Sequence, residues 1–221
     1  MAVVITLGVL VSGSGTNLQA ILDAVAARTL DARLAVVVSN VAGAGALDRA
    51  RAAGVDAVVI DHRQYADRRS FDAALVALLR ARGVEVVVLA GFMRLLTPVM
   101  LDAFPMRVVN VHPALLPAFP GIQGQQQAVD YGVRVSGCTV HFVDHGTDTG
   151  PIVAQAVVPV RQDDDEESLR RRILQREHEL LPRVLQWIAE GRVTVEPPAS
   201  AGGRARVKVR GVEPCVGVEP S

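Results

Sequence analysis

The sequence predicts a doubly wound α/β fold with a mostly parallel sheet. Its first half alternates short apolar runs with amphipathic helical patterns. The apolar runs are continuous stretches of Val, Ile and Leu, which indicate strands buried on both faces. Helices between such strands carry the chain back to begin the next parallel strand. We therefore expect a Rossmann-like sheet whose ligands bind beyond the carboxyl ends of its strands.

The elements follow from these patterns in chain order. The first half is predicted to contain strands at 3–11, 34–39, 55–60, 84–90 and 106–111, and helices at 16–28, 44–53, 65–82 and 98–103. The second half is predicted to begin with a helix at 123–131, followed by strands at 136–143 and 152–160 that form an antiparallel hairpin. A long C-terminal helix at 165–190 is favoured by its acidic first turn, and Pro182 is expected to bend it.

Composition bounds the kind of protein. Half of the 221 residues are hydrophobic but only 4% are aromatic, so small aliphatic side chains must build the core. The 23 basic residues balance the 23 acidic ones, so the chain carries no global electrostatic signature for nucleic acid or an anionic membrane. We expect small-molecule substrates, and neither nucleic acid nor a membrane, as its partners. The first strand has no basic start of the signal-peptide kind. We expect a cytoplasmic monomer or homodimer. We expect no metal site, because the five histidines and two cysteines lack metal-ligand spacing.

One domain is expected over residues 1–196. Its halves, 1–105 and 106–196, differ in character, because helices and parallel strands give way to a hairpin and a long helix. Residues 197–221 are rich in Pro and Gly and are predicted to be a mobile tail, in which a short strand near 207–209 is possible.

A glycine-rich loop, Ser12-Gly13-Ser14-Gly15-Thr16-Asn17, lies between the first strand and the first helix. Two glycines let backbone N–H groups crowd around an anion, and the helix N-terminus adds partial positive charge. The loop is not a Walker loop, and it lacks the third glycine of the dinucleotide fingerprint. It therefore suits a single phosphate, with a plain capped turn as the alternative.

Three side chains near the end of the fifth strand form a candidate catalytic group. Asn110 and His112 are two residues apart on that strand and so share a face, and Asp148 lies in the hairpin loop. The amide and the imidazole can each donate a hydrogen bond to an oxyanion, and the carboxylate can stabilise a charged imidazole and relay a proton. Such a trio can move a formyl group onto an amine. A lone structural histidine is the alternative interpretation.

Several motifs then point to a family. Asn110-Val111-His112-Pro113-Ala114-Leu115-Leu116-Pro117, the strand motif at 137–143 and the segment at 148–152 resemble the folate-dependent formyltransferases. The motifs at 11–21 and 90–96 resemble the branch that acts on glycinamide ribonucleotide. The resemblance covers roughly residues 3–191. It implies 10-formyltetrahydrofolate as the formyl donor and Asn110, His112 and Asp148 as the catalytic residues.

The same resemblance implies the binding residues. Gly15, Thr16 and Asn17 fall where the family binds the phosphate of the ribonucleotide. Glu177 lies on the buried stripe of the last helix, where the family binds ribose hydroxyls, although a buried pair with an arginine would also explain it. The pterin of the donor is expected at two segments, which comprise Met93, Arg94, Leu95 and Leu96, and His145, Gly146 and Thr147.

The chain departs from the family after Pro120-Gly121. Gln123 and Gln125 stand where the family usually has histidines. Gln123 can still form hydrogen bonds, but it cannot carry a proton or a charge. The departure bears on how the substrate is oriented and does not touch the catalytic trio.

Other readings share parts of the pattern. A 10-formyltetrahydrofolate deformylase has the same trio but would carry a further N-terminal domain, and a formyltransferase acting on tRNA would carry a further C-terminal one. Members that act on sugar nucleotides are disfavoured by the glycine-rich loop. A non-catalytic folate- or nucleotide-binding module is also compatible with the strands and that loop, but Ser39-Asn40 replaces the acidic ribose-binding residue expected for NAD.

Overall fold

The structure is a computed structural model that describes residues 4–198, 200, 203–212 and 215–216. The chain divides into two compact units. The first contains the described residues up to Asn110, and the second contains those from Val111 onward. The predicted start of the first strand, at residue 3, and residues 199, 201–202, 213–214 and 217–221 of the predicted tail lie outside the described residues.

The first unit has the predicted alternation of strands and helices. Its strands are β1 (Ile5–Val11), β2 (Ala32–Ser39), β3 (Ala57–Val59), β4 (Val86–Leu89) and the beginning of β5 (Val108–His112). They lie in the order β5-β4-β1-β2-β3, and every neighbouring pair is parallel. Strands β1 and β4, in the middle of this order, are almost wholly buried. The mostly parallel sheet inferred from continuous apolar runs is therefore confirmed.

Four α-helices accompany these strands. They are α1 (Thr16–Ala26), α2 (Gly45–Ala52), α3 (Arg68–Ala81) and α4 (Pro98–Ala103), and a 3-10 turn spans His62–Gln64. Helix α3 begins later than expected because the Asp67 carboxylate accepts a hydrogen bond from the backbone N–H of Ser70, at 2.7 Å. The Ser70 hydroxyl accepts one in return from the backbone N–H of Asp67.

The second unit contains the predicted hairpin. It comprises α5 (Gly124–Tyr131), β6 (Val135–Phe142), β7 (Ile152–Pro159), α6 (Glu166–Ala189), β8 (Val193–Glu196), β9 (Arg206–Val209) and β10 (Cys215–Val216). Strands β6 and β7 are antiparallel, and α6 packs against both. The helix continues through Pro182, which is buried. The strand considered possible near 207–209 is confirmed as β9, which pairs antiparallel with β8.

Each unit has its own aliphatic core. Leu7, Leu10, Leu18, Leu75 and Leu79 are fully buried in the first unit, and Leu169, Ile173 and Leu180 in the second. Among the described helices, none combines the length and the apolar character needed to cross a membrane.

Candidate active site

The glycine-rich loop makes the sharp turn that the sequence suggested. Gly15 has a φ of 76°, and a Cβ placed on it would lie 2.5 Å from the Cβ of Ala46 in α2. Only glycine satisfies both the left-handed backbone and the close approach of that helix. Thr16 then starts α1 and Asn17 is buried in its first turn. Gly15 has no side chain to cap α1, which suits an anion at the first-turn N–H groups.

Arg49 of α2 supports the loop from outside. Its Nε donates a hydrogen bond to the carbonyl oxygen of Ser14 at 2.8 Å, and its Nη1 donates to the Oε1 of Gln19 at 3.0 Å. The backbone N–H of Ala46 also donates to the carbonyl of Gly13, at 3.1 Å. The loop is thus held by α2 at two successive carbonyl groups.

The hydroxyl of Ser12 joins the ends of three strands. It donates a hydrogen bond to the Oδ1 of Asn40, after β2, at 2.6 Å. It accepts one from the backbone N–H of Met93, after β4, at 3.0 Å. The backbone N–H of Ser12 donates to the carbonyl of Gly91, also at 3.0 Å. The glycine-rich loop and the segment expected to bind pterin are therefore directly hydrogen-bonded to each other. This role of Ser12 and Asn40 was not predicted from the sequence.

The segment after β4 has alternating exposure. Met93 and Leu95 are exposed at 73% and 58%, whereas Arg94 and Leu96 are partly buried. The guanidinium carbon of Arg94 lies 5.5 Å from the centre of the Phe71 ring in α3, within the range of a cation–π contact. Two apolar side chains are thus presented outward on a segment whose arginine is held against a helix.

His112 ends β5 and is 3% exposed. Its Nε2 lies 2.8 Å from the carbonyl oxygen of Phe119, and its Nδ1 lies 3.4 Å from the Oδ2 of Asp148. Each ring nitrogen of His112 thus has an oxygen atom beside it, one from a backbone carbonyl and one from a carboxyl group. The structure therefore brings together His112 and Asp148, which the sequence separates by 36 positions. Asn110, two residues earlier on β5, is partly buried.

Asp148 is held in an unusual backbone conformation. Its φ is 53°, in the left-handed region, and its Oδ2 accepts a hydrogen bond from the backbone N–H of Gly121 at 2.7 Å. Its Oδ1 lies 3.8 Å from the Nε2 of His141. His141 is buried beside the carbonyl of Phe142, and that burial lowers its imidazole pKa. Its nearness to Asp148 could not be predicted from the sequence, because an alternating strand pattern shows only which face of the sheet a residue takes.

The irregular loop after His112 is fixed by two strand residues. The Thr139 hydroxyl donates a hydrogen bond to the carbonyl of Ala114 at 2.7 Å and accepts one from the backbone N–H of Leu116 at 3.0 Å. The Gln155 amide donates to the carbonyl of Leu116 at 2.9 Å. Thr139 and Gln155 therefore hold the loop that supplies the Phe119 and Gly121 contacts.

The remaining sequence-predicted residues lie in the second unit. Glu177 is 6% exposed on α6, as its position on the apolar stripe predicted. His145, Gly146 and Thr147 are exposed in the loop between β6 and β7. The Asp144 carboxylate folds this loop, accepting hydrogen bonds from the N–H of Gly146 and the hydroxyl of Thr149.

The glutamine-rich stretch starts α5. Gln123 is exposed with a φ of 59°, and Gln125 is partly buried in the helix. The Gln127 amide donates a hydrogen bond to the carbonyl of Ile122 at 2.8 Å. Within the described residues, no three His, Cys, Asp or Glu side chains are grouped so that they could hold a metal ion.

Comparison with known proteins defines the class to which this fold and these side chains belong. The family model described as formyl transferase matches residues 6–185, and the chain belongs to this family. Phosphoribosylglycinamide formyltransferase of Escherichia coli (strain K12) is 38% identical over 192 residues, which are 87% of this chain and 91% of that protein. The crystal structure of glycinamide ribonucleotide transformylase 1 from Symbiobacterium toebii superposes with a TM-score of 0.90 at 53% identity, covering 95% of each chain.

A second group of relatives is much longer. The trifunctional purine biosynthetic protein adenosine-3 of Drosophila melanogaster is 45% identical over 195 residues. The match takes in 87% of this chain but only 14% of that protein. The chain thus corresponds to a small part of the trifunctional relatives and to nearly the whole length of the bacterial one.

Proposed function

We propose that this protein transfers the formyl group of 10-formyltetrahydrofolate to the amine of glycinamide ribonucleotide. The observation that carries the proposal is the pairing of His112 with Asp148 at the end of β5, two residues after Asn110, in a chain of the formyl transferase family. The names of its bacterial relatives, which describe formyl transfer to phosphoribosylglycinamide, support the choice of formyl acceptor. Both substrates are small molecules, and we propose a cytoplasmic monomer or homodimer.

The reaction begins when the amine lone pair attacks the formyl carbon. The carbonyl π electrons move onto the formyl oxygen, giving a tetrahedral intermediate with an oxyanion and a positively charged nitrogen. The nitrogen then loses its proton and N10 of the folate gains one. The oxyanion re-forms the carbonyl double bond as the bond between the formyl carbon and N10 breaks, and the electron pair of that bond stays on N10. The products are the N-formylated ribonucleotide and tetrahydrofolate, so atoms and charge balance.

Asn110 and His112 are assigned to the oxyanion. The Asn110 amide and an N–H of His112 would each donate a hydrogen bond to it, which stabilises the charge that develops in the transition state. The Nε2 of His112 is close to the neutral carbonyl of Phe119, at 2.8 Å. A formyl oxygen that gains negative charge is a stronger acceptor than that carbonyl, so the same N–H can be drawn to it.

Asp148 is assigned to the proton transfer. Its carboxylate faces Nδ1 of His112 and so stabilises a charged imidazole. Together with a bound water, it would take the proton from the attacking nitrogen and return it to N10. The hydrogen bond from Gly121 restrains the carboxylate and orients it for both tasks.

The two substrates are assigned to different parts of the chain. Gly15, Thr16 and Asn17 would bind the ribonucleotide phosphate at the start of α1, and Glu177 would accept hydrogen bonds from the ribose hydroxyls. The pterin of the donor would bind along Met93, Arg94, Leu95 and Leu96, and at the loop of His145, Gly146 and Thr147. The outward apolar side chains of Met93 and Leu95 suit a flat ring system.

A spectrophotometric assay tests the proposal. Purified protein is mixed with 10-formyl-5,8-dideazafolate, a stable formyl donor, with and without glycinamide ribonucleotide, and a His112→Ala variant purified identically controls for contaminating enzymes. We expect deformylated donor only when the ribonucleotide is present. Donor breakdown without it would instead make the protein a deformylase. No turnover under either condition would contradict the proposal and would implicate the glutamines at 123 and 125.

A further inference from the structure

The carboxylate of Asp72 is a buried group that the proposed mechanism does not use. It lies in the second turn of α3 and is 1% exposed. One of its oxygens, Oδ2, accepts hydrogen bonds from both the backbone N–H and the hydroxyl of Thr97, at 2.6 and 2.7 Å. Thr97 is the residue that immediately precedes α4, yet its hydroxyl bonds to Asp72 and does not cap that helix. Asp72 thus anchors the end of the segment that follows β4.

Electrostatic interactions as well as hydrogen bonds connect Asp72 to that segment. Burial raises the pKa of the Asp72 carboxyl, and the hydrogen bonds from Thr97 and the positive charges of Arg94 and Arg68 oppose the rise. A carboxylate is costly to bury unless other groups compensate its charge. Phe71, the neighbour of Asp72 on α3, carries the guanidinium of Arg94 over its ring. Two consecutive residues of one helix therefore hold Arg94 and Thr97.

The segment from Gly91 to Thr97 is anchored at both ends. Its start is hydrogen-bonded to the backbone and hydroxyl of Ser12, and its end is hydrogen-bonded to Asp72. Met93 and Leu95 nevertheless remain exposed. A segment that is fixed by buried polar contacts while it presents apolar side chains to solvent is preorganised for a ligand, because little conformational entropy remains to be lost on binding.

We propose that Asp72 is a positioning residue for the formyl-donor site, acting through Thr97 and Arg94 to hold Met93 and Leu95 in the orientation that receives the donor's ring system. The inference rests on the proposed function, because it takes this segment as the place where the folate binds. Asp72 itself does not touch the donor. Its effect is on the affinity for one substrate and on the mobility of one segment.

Three variants separate the parts of this role. Asp72→Ala removes both the acceptor and the charge. Asp72→Asn keeps an oxygen that can accept both Thr97 hydrogen bonds but removes the charge that acts on Arg94. Asp67→Ala is the matched control, because it removes the helix cap of α3 without altering a contact of the segment.

The measurements are the Kd of 10-formyl-5,8-dideazafolate, the Kd of glycinamide ribonucleotide and hydrogen exchange of the amides from 91 to 97. Leaving the buried N–H of Thr97 without its acceptor should raise the donor Kd of Asp72→Ala about tenfold and speed exchange of the segment by a similar factor. The ribonucleotide Kd should change less. Asp72→Asn should exchange like wild type but bind the donor about threefold more weakly, as expected for a lost charge interaction.

Each outcome decides the inference. A donor Kd within about twofold of wild type in Asp72→Ala would overturn it, as would an equal loss in Asp67→Ala, which would trace the effect to a weakened helix. If Asp72→Ala does not fold, Asp72→Asn decides: weaker donor binding supports the role and unchanged binding refutes it. A wild-type protein that fails to bind the donor analogue would refute the proposed function, and the inference with it, whatever the variants do.

Discussion

Asn110 is assigned a single hydrogen bond to the oxyanion, which gives a sharp expectation for its removal. Losing one such donor typically lowers turnover by about 10² to 10³, because the bond is made chiefly in the transition state. We expect Asn110→Ala to lose kcat by that factor and to keep nearly normal KM values for both substrates. Steady-state kinetics measures this, with urea unfolding to confirm an intact fold. Turnover near that of wild type would remove Asn110 from the oxyanion role.

Asp148 combines a left-handed backbone with a charge that faces His112. Asparagine tolerates the same backbone and can still accept the hydrogen bond from Gly121, so Asp148→Asn changes little besides the charge. We expect kcat to fall by about 10² to 10⁴, the range typical of lost acid–base catalysis, while thermal stability stays close to wild type. Asp148→Ala, which also loses the Gly121 contact, should be both inactive and less stable. An active Asp148→Asn would show that the carboxylate charge is not needed.

For single residues, the sequence shows which side chains could take part in catalysis, but it does not show which side chains contact each other. Asn110, His112 and Asp148 could be singled out because an amide, an imidazole and a carboxylate near strand ends are an unusual combination. Asp72 and Ser12 could not, since each is an ordinary polar residue in its local sequence. Their importance comes from partners that are 25 and 81 positions away in the sequence, and only the fold brings those partners into contact.

Among the elements, the turn from β1 to α1 is the most constrained. Gly15→Ala would place a methyl group 2.5 Å from the Cβ of Ala46 on a backbone with a φ of 76°. The left-handed conformation alone costs a non-glycine residue about 1 kcal/mol, and the clash must displace α2 or the loop. We expect lower stability and at least a tenfold higher KM for the ribonucleotide, since the N–H groups lose their alignment.

Gly13 supplies the control for that experiment. A Cβ on Gly13 meets no atom within 4 Å, and its φ lies outside the left-handed range. Gly13→Ala should therefore unfold at nearly the same urea concentration as wild type. Equal losses in the two variants would mean that glycine content as such, and not the turn at Gly15, determines the effect.

Element types were predictable where periodicity was strong, and their ends were not. The long helix α6 and the hairpin of β6 and β7 follow directly from their patterns. The start of α3 was misplaced because the capping pair of Asp67 and Ser70 decides it, and the expected strand at 55–60 shrank to Ala57–Val59 at the edge of the sheet. Strands β8 and β10 were missed because two to four residues carry too little periodic signal.

For the molecule as a whole, stability in acid should depend on carboxylates with lowered pKa values. Asp164 is the clearest, because Arg172 binds it through two hydrogen bonds and also donates one to the carbonyl of Pro159, which ties α6 to the end of β7. The hydrogen bonds from Arg172 hold the pKa of Asp164 well below its ordinary value of 3.8. A lowered folded-state pKa contributes stability above the unfolded value and loses it as the pH falls through the folded one.

Urea unfolding of wild type and Asp164→Asn tests this. At pH 7 we expect the variant to be less stable by about 2 kcal/mol, the usual worth of hydrogen bonds to a charged group. The difference should shrink progressively as the pH is lowered from about 4, where the unfolded chain takes up its proton. Asp163→Asn removes the same charge from an exposed neighbour and should change stability little. A difference that stays constant down to pH 2 would rule out the ion pair as its source.

The hydroxyl of Ser12 limits how this protein can be re-engineered. It is shared, since it accepts from the backbone of Met93 while it donates to Asn40. Replacing the whole glycine-rich loop to admit a different amine would remove the Ser12 hydroxyl. The segment from Gly91 to Thr97 would then lose the hydrogen-bond acceptor of its Met93 N–H. If the segment from Gly91 to Thr97 binds the folate as proposed, grafts that begin after Ser12 should leave folate recognition intact, whereas grafts that include Ser12 would need a compensating partner for the Met93 N–H. A graft that changes the amine substrate should therefore begin at Gly13 and leave Ser12 in place.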